Sequence, residues 1–336
     1  MKKFLCVILA LAMAAALAAC GGQNNGSTDG GEQPAPAESQ APAASAEFTV
    51  GICQLVTHDA LDAATQGFKD ALTEALGDRV AFLEGNAAGD SATCSTICNG
   101  YVSDGVDLIM ANATPALQAA ASATADIPVL GTSVSSYAAA FNLTDFDGTL
   151  GTNVSGTSDL APMDVQAQMV KELFPEAKTV GILYCSGEAN SVFQVEAMAK
   201  YLTELGFVVN SYSFADSNDV AMVTGTACDE VDVIYIPTDN TAASCAEAIE
   251  GVVGPANKPV VAGEEGICKI CGVATLTINY YDLGVATGKM AARILNDGED
   301  ISTMAVEYFP DPVKKYNPEL AEKFGLTIPE DYVPFE

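Results

Sequence analysis

The chain has 336 residues, 44 acidic against 14 basic side chains, a net charge of −30, one histidine and no tryptophan. Such acidity without a basic stripe excludes recognition of nucleic-acid phosphates, and a single histidine excludes multi-histidine zinc sites and leaves His58 as the sole base for a Ser-His or Cys-His centre. At 49% hydrophobic and 17% charged residues the chain is globular, with a length that suits two lobes.

Residues 1–19 have the form of an export signal: Lys2 and Lys3 precede an apolar run from Phe4 to Ala19 that is too short for a membrane span. Leu17-Ala18-Ala19-Cys20 matches a bacterial lipobox, which makes Cys20 the expected lipidation site and membrane anchor. Cleavage there makes the mature chain more negative by two charges. The remainder of residues 20–47 is almost entirely Gly, Ser, Asn, Gln, Pro, Ala and Glu, with Thr28 and Asp29, and without apolar period, the composition of a flexible tether.

From Thr49 short β-rich runs alternate with amphipathic ones. Thr49-Val50-Gly51-Ile52 predicts a strand, and Leu61, Ala64, Phe68, Leu72 and Leu76 recur at helical spacing before Gly77. The four letters return as Thr179-Val180-Gly181-Ile182, followed by a helix through Val195, Met198 and Leu202. Asp107-Leu108-Ile109-Met110 with Ile127-Pro128-Val129-Leu130 is likewise matched by Asp232-Val233-Ile234-Tyr235 with Lys258-Pro259-Val260-Val261. A duplicated βαβαβ unit predicts an α/β protein of two Rossmann-like lobes with parallel sheets and a multi-crossing hinge. The expected boundaries are residues 48–153 for the first lobe, with 280–310 returning to it, 154–279 for the second, and 311–336 as a C-terminal segment. Crossings are expected within Asn142 to Asp159 and Ala274 to Asp282.

Ligands of such sheets bind beyond the strand carboxyl ends. The six loops there, Cys53 to Asp59, Ala111 to Pro115, Gly131 to Tyr137, Tyr184 to Ser191, Pro237 to Thr241 and Gly263 to Gly266, contain no Lys or Arg. Strongly anionic ligands want a cationic fork, whereas hydroxyls such as Thr114, Thr132 and Ser133, with acids such as Asp239 and Glu264, suit a zwitterion. Thr114-Pro115 has the form of an N-cap followed by proline, a helix start able to hold a carboxylate. Asp239 or Glu264 could pair with an α-ammonium, or merely cap a helix. An apolar ligand side chain would lie against Tyr137, Phe141, Tyr184, Phe193 or Tyr280.

Gly51 to Asp62, Ala113-Thr114-Pro115-Ala116, Asn153 to Asp159, Glu188-Ala189-Asn190-Ser191, Pro237-Thr238-Asp239-Asn240 and Asn279 to Gly284 together resemble the ABC transporter substrate-binding lipoproteins of the tryptophan/tyrosine-type branch. The resemblance spans about residues 48–310. It implies a type I periplasmic-binding-protein fold, no cofactor, delivery of a small amino acid-like solute to an ABC permease and ATPase, and a monomer. By position it implies cleft roles for Gln54, Thr114, Ser155, Ser186, Asn190, Asp239 and Asn240. One departure is Ser136-Tyr137, where the family commonly has Asp-Pro; an enlarged polar rim or a tyrosine wall there could favour an amino acid other than an aromatic one, or a related amine. Alternative readings are a sensory receptor or a sugar or nucleoside binder of the same fold, or an exported enzyme, against which stands the absence of a glycine-rich phosphate loop.

Cys268-Lys269-Ile270-Cys271 is a CxxC without a second pair, a weak metal or redox signal. Cys94 and Cys98 lie one helical turn apart, and the scattered Cys53, Cys185, Cys228 and Cys245 have the pattern of small buried hydrophobes. His58, in a cleft loop, could gate or touch a ligand.

Overall fold

The computed structural model describes residues 46–309 and 311–335; the export signal, Cys20 and the tether lie outside them. The first lobe opens with β1 (Phe48–Gln54), α1 (Asp59–Leu76), β2 (Val80–Asn86), α2 (Ser91–Asp104), β3 (Leu108–Asn112), α3 (Thr114–Ala123), β4 (Val129–Thr132) and α4 (Tyr137–Ala140). Its sheet runs β2-β1-β3-β4 and continues into β5 (Val154–Ser158), which pairs in parallel with β4. The strand expected to open the second lobe therefore closes the first. Every β5 residue is buried, and Val129↔Val154 fixes its register.

The second lobe comprises α5 (Met163–Leu173), β6 (Thr179–Cys185), α6 (Ala189–Glu204), β7 (Val208–Phe214), α7 (Val220–Glu230), β8 (Val233–Ile236), α8 (Asn240–Ser244), α9 (Ala246–Ala256), β9 (Val260–Ala262), α10 (Glu265–Cys271) and β10 (Ala274–Thr277). The chain then returns through α11 (Tyr280–Asp297) and β11 (Glu307–Tyr308), which extends the first sheet beside β5. It crosses again to β12 (Val313–Tyr316), antiparallel to β10, then α12 (Pro318–Lys323) and β13 (Val333–Pro334). The C-terminal segment is thus part of the second sheet, ordered β13-β12-β10-β9-β8-β6-β7. The first sheet is parallel throughout, and the second is parallel except where β10 pairs with β12.

The first crossing is shorter than its sequence allowed. Phe146 and Leu150 pack on the first lobe's core and Gly148 accepts from Val306 N, so Asn142 to Asn153 stay with that lobe. The chain passes over at Asp159–Pro162 and Ile278–Asn279, and once more between Tyr308 and Val313.

Each sheet is covered on both faces, which explains its near-continuous apolar strands. In the first lobe Phe68, Leu72 and Met290 from α1 and α11 pack on Val50 and Ile52, while Cys94, Tyr101 and Leu117 from α2 and α3 pack on the other face. Helices α1 and α11 approach backbone to backbone: a methyl at Gly67 would strike Tyr281 O, and one at Gly284 would strike Ala64 O.

Candidate functional site

The loops beyond the strand ends of both lobes meet, and most of their polar side chains are buried. Gln194 on α6 donates to Ser135 Oγ of the first lobe at 3.3 Å. His58 at the start of α1 lies 3.3 Å from Asn240 Oδ1 of the second. Because Asn240 Nδ2 donates to Glu188 Oε2, its oxygen is the acceptor and His58 Nε2 the donor, which leaves the buried His58 Nδ1 without a partner.

Among the described residues six further buried side-chain atoms have no hydrogen-bond partner: Asn112 Oδ1 and Thr275 Oγ1 lie within strands, and the other four are Thr114 Oγ1, Ser133 Oγ, Asp159 Oδ1 and Asn190 Oδ1. They belong to loops at the strand ends of both lobes and to the first crossing. A buried polar atom left unpaired costs about 1–3 kcal/mol, which a polar partner would recover.

Local structure aims these groups. Ala113 (φ 91°) and Ser133 (φ 55°) adopt left-handed backbone just past β3 and β4, which redirects Thr114 and Ser133. Ala113, not Thr114, is the residue before the first turn of α3; Thr114 is the first helical residue and Pro115 the second, so the Thr114 hydroxyl is not consumed as a cap. Asn190 donates to Glu188 and Thr238 O, leaving its oxygen open. Asp159 is only 4% exposed and accepts from Tyr280 Oη at 3.1 Å through Oδ2, leaving Oδ1 open.

The electrostatics are those of buried acid in loops without lysine or arginine, with Lys269 and Lys315 on the wall of the hinge-side cavity, where both pair with Glu265. Burial pushes Asp159 up to about 6, with Glu264 adding to the rise and the Ser135 and Tyr280 hydroxyls opposing it. Asp239 is pushed up to about 7, by burial first and then by Glu188. Burial also raises Glu264, against the pull of His58 and two backbone N–H groups.

The acids expected from sequence to meet an ammonium are otherwise engaged. Asp239 accepts from Ala242 N through Oδ1 and from Cys185 N through Oδ2, so it caps α8 and clasps the end of β6. Glu264 caps α10 through Gly266 N and Ile267 N. Glu188 accepts from Asn240 and Thr241. Four other expected positions turn away from the cleft. Gln54 bonds Val56 O, Asp62 and Thr65 beneath α1; Thr132 lies against Thr157 inside the first lobe; Ser155 donates to Met304 O; exposed Ser186 donates to Phe214 O at the sheet edge. Thr114, Ser133 and Asn190 each keep a buried oxygen without a partner, and Asn240 meets His58 of the other lobe.

Tyr137 makes no cleft wall. It is 1% exposed, and its hydroxyl donates toward Gly131 O and Thr157 O from a cradle of Gly131 and Gly156, where a Cβ would collide with it. Ser136 caps α4. Asp159 and Gln194 were not singled out from sequence. Asp159 ends the stretch expected to hold a crossing, but its position there gives no sign that its carboxylate is buried with one oxygen unpartnered.

Two cavities flank this polar centre. The larger, about 670 Å³, lies on the hinge side and is lined by Ala60, Ala63, Glu264, Ile278, Tyr280 and Phe309 among others. The second, about 430 Å³, lies between Pro115 and Asp90 of one lobe and Glu188 and Thr241 of the other. Among the described residues no cluster of His, Cys, Asp or Glu could hold a metal ion. The eight described cysteines are free, seven of them buried, and no helix there is long and apolar enough to cross a membrane.

Two lobes hinged by several crossings and closed over a polar centre define a solute-binding protein. A family model for ABC transporter substrate binding proteins matches residues 49–333, and the chain belongs to that family. It is 33% identical over 308 residues to the tyrosine-binding protein of Clostridioides difficile, covering 91% of this chain and 87% of that one. It superposes with TM-score 0.81 on an ABC domain from Streptococcus pneumoniae in complex with L-Trp, at 34% identity, covering 84% of this chain and 96% of that one. The ligand-free, open structure of a Clostridium difficile substrate binding protein with adhesive properties is 38% identical yet superposes at only 0.64, covering 86% and 100%. In this chain Gln194–Ser135 and His58–Asn240 bring the two lobes into contact.

Proposed function

We propose that this protein is the extracytoplasmic receptor of an ABC importer for an aromatic amino acid, held to the membrane by lipid on Cys20 and docking as a monomer on its permease and ATPase. The observation that carries the ligand class is Asp159, a buried carboxylate with one oxygen unpartnered and no lysine or arginine in the surrounding loops. An α-ammonium supplies the missing charge and donors. Thr114 and Ser133 hydroxyls, with the free N–H groups at the start of α3, take the α-carboxylate. Tyr280 joins the two parts of the site: its hydroxyl holds Asp159, and its ring lines the hinge-side cavity with Ile278 and Phe309, where the ligand's ring lies. The tyrosine and tryptophan named for two relatives support this size and class.

Closure follows from the same contacts, because Asp159 lies on a crossing and Asn190 on the second lobe. A ligand touching both favours the closed state by its differential affinity. Titration calorimetry with L-tryptophan, L-tyrosine, their decarboxylated amines and their deaminated acids tests the reading. The two amino acids should bind, and both truncated sets should bind at least about tenfold more weakly, on the scale of one charged hydrogen bond. Preference for a sugar or nucleoside would overturn it.

A further inference from the structure

The buried walls of the hinge-side cavity are Ala60, Ile278 and Tyr280, with Thr277 and Glu264 as further polar members. Thr277 donates its hydroxyl to Ile278 O, and Tyr280 turns its hydroxyl to Asp159. Glu264, only 2% exposed, is held in place: Oε2 accepts from Gly266 N at 2.7 Å and Oε1 from Ile267 N. Gly266 lines the cavity too, and a methyl there would come to 3.2 Å from both carboxylate oxygens. A carboxylate has roughly four acceptor positions, so two backbone donors leave about half of them open. Among the described residues no lysine or arginine pairs with Glu264, because Lys269 and Lys315 on the same wall both close on Glu265. Asp239 gives the contrast: it also accepts from two backbone N–H groups, yet it lines neither cavity. Capping a helix therefore accounts for Asp239 in full and for Glu264 only in part.

We propose that Glu264 is a specificity-determining residue of the solute site, accepting the polar hydrogen of the ligand's ring, an indole N–H or a phenol O–H, and so selecting tryptophan or tyrosine over phenylalanine. This rests on the proposed function, in which Asp159 takes the ammonium and the ring enters this cavity. Glu264 then acts on the ring and not on the α-amino group. A ring without such a hydrogen displaces water from the carboxylate and returns no bond, so the penalty falls on phenylalanine. The same carboxylate repels rings that carry an anionic substituent.

The test is calorimetry on the wild-type full chain with L-tryptophan, L-tyrosine, L-phenylalanine, 1-methyl-L-tryptophan and O-methyl-L-tyrosine. Tryptophan or tyrosine, whichever binds more tightly, should exceed phenylalanine and its own methylated form by at least about tenfold. In Glu264→Gln that preference over phenylalanine should shrink toward one, with the affinity for phenylalanine held. Phenylalanine binding as tightly as the other two would overturn the proposal and leave the amino acid reading standing. Equal losses for all three amino acids in Glu264→Gln would also overturn it, by making Glu264 an ammonium contact or a cap only. If none of the three binds, both readings fall. The wild-type series needs no variant, so it decides the matter even if Glu264→Gln does not fold.

Discussion

Gln194 of the second lobe donates through Nε2 to Ser135 Oγ of the first at 3.3 Å, while the same amide grips Thr238 from both sides, accepting from its N–H and donating to its carbonyl at 3.1 Å each. One side chain thus fixes a cleft loop in its own lobe and reaches across to the residue beside Asp159. Gln194→Ala should weaken amino acid binding by about tenfold, from roughly 1.4 kcal/mol of lost hydrogen bonding. Small-angle scattering should show a more open average shape, and an unchanged shape with unchanged affinity would make Gln194 a local fastener only.

Asp159 and Asp239 should separate affinity from stability. Asp159→Asn keeps the size of the side chain and removes a costly buried charge, so at neutral pH the unliganded protein should melt no lower than wild type while binding of an amino acid falls by at least about tenfold. Asp239→Ala removes a helix cap and the clasp on Cys185 N, and should cost about 2 kcal/mol of stability. Thermal melts and calorimetry on the two variants check this crossed pattern. Loss of affinity in Asp239→Ala without loss of stability would reverse the roles.

The raised acids give a pH dependence of definite sign. An unfolded Asp ionises near 3.8, whereas Asp159 and Asp239 ionise at about 6 and about 7 in the folded chain. Below 3.8 both states are protonated and these groups contribute nothing. Between there and about 7 the folded state holds more protons, so stability falls as pH rises. The unliganded protein should lose melting temperature from pH 5 to pH 8 by way of these two groups, and the slope should be shallower in Asp159→Asn.

Ligand binding should run the other way. An ammonium needs the Asp159 carboxylate, so binding below about pH 6 must release its proton, and affinity should fall toward tenfold per pH unit there. Calorimetry at pH 5.5 in buffers of different ionisation enthalpy measures that release. Absence of proton release would place the ammonium elsewhere.

Tyr137→Phe tests the cradle beneath the first lobe's cleft loop. Losing two hydrogen-bond acceptors' partner in a fully buried site should cost about 1–3 kcal/mol, read as a lower denaturant midpoint, with little change in ligand affinity. A large fall in affinity at unchanged stability would return Tyr137 to the cleft.

The duplicated strand-helix pattern made the two sheets legible, because a parallel sheet covered on both faces writes its strands as apolar runs and its ligand loops at their carboxyl ends. The loops were found in this way, and with them Thr114, Ser133, Asn190 and Asn240. Direction of side chains was not legible. Whether Asp239 faces a ligand or its own helix depends on where Cys185 N and Ala242 N lie, and these are 54 and 3 residues away. Tyr137 looked exposed by its loop, yet the space left by Gly131 and Gly156 draws it inward. The apolar period ends before β5 announces its sheet: Val154-Ser155-Gly156-Thr157-Ser158 has only one large apolar residue, and its place was decided by pairing with β4.

The interlaced ends of the two sheets carry a further consequence for biogenesis. The first sheet waits for β11 at residues 307–308, and the second for β12 and β13, which lie later still. A chain emerging from its amino end cannot finish either lobe until nearly all of it is available. Completion of both sheets is therefore tied to the arrival of roughly the last thirty residues, so neither lobe can close its sheet as an early, local event.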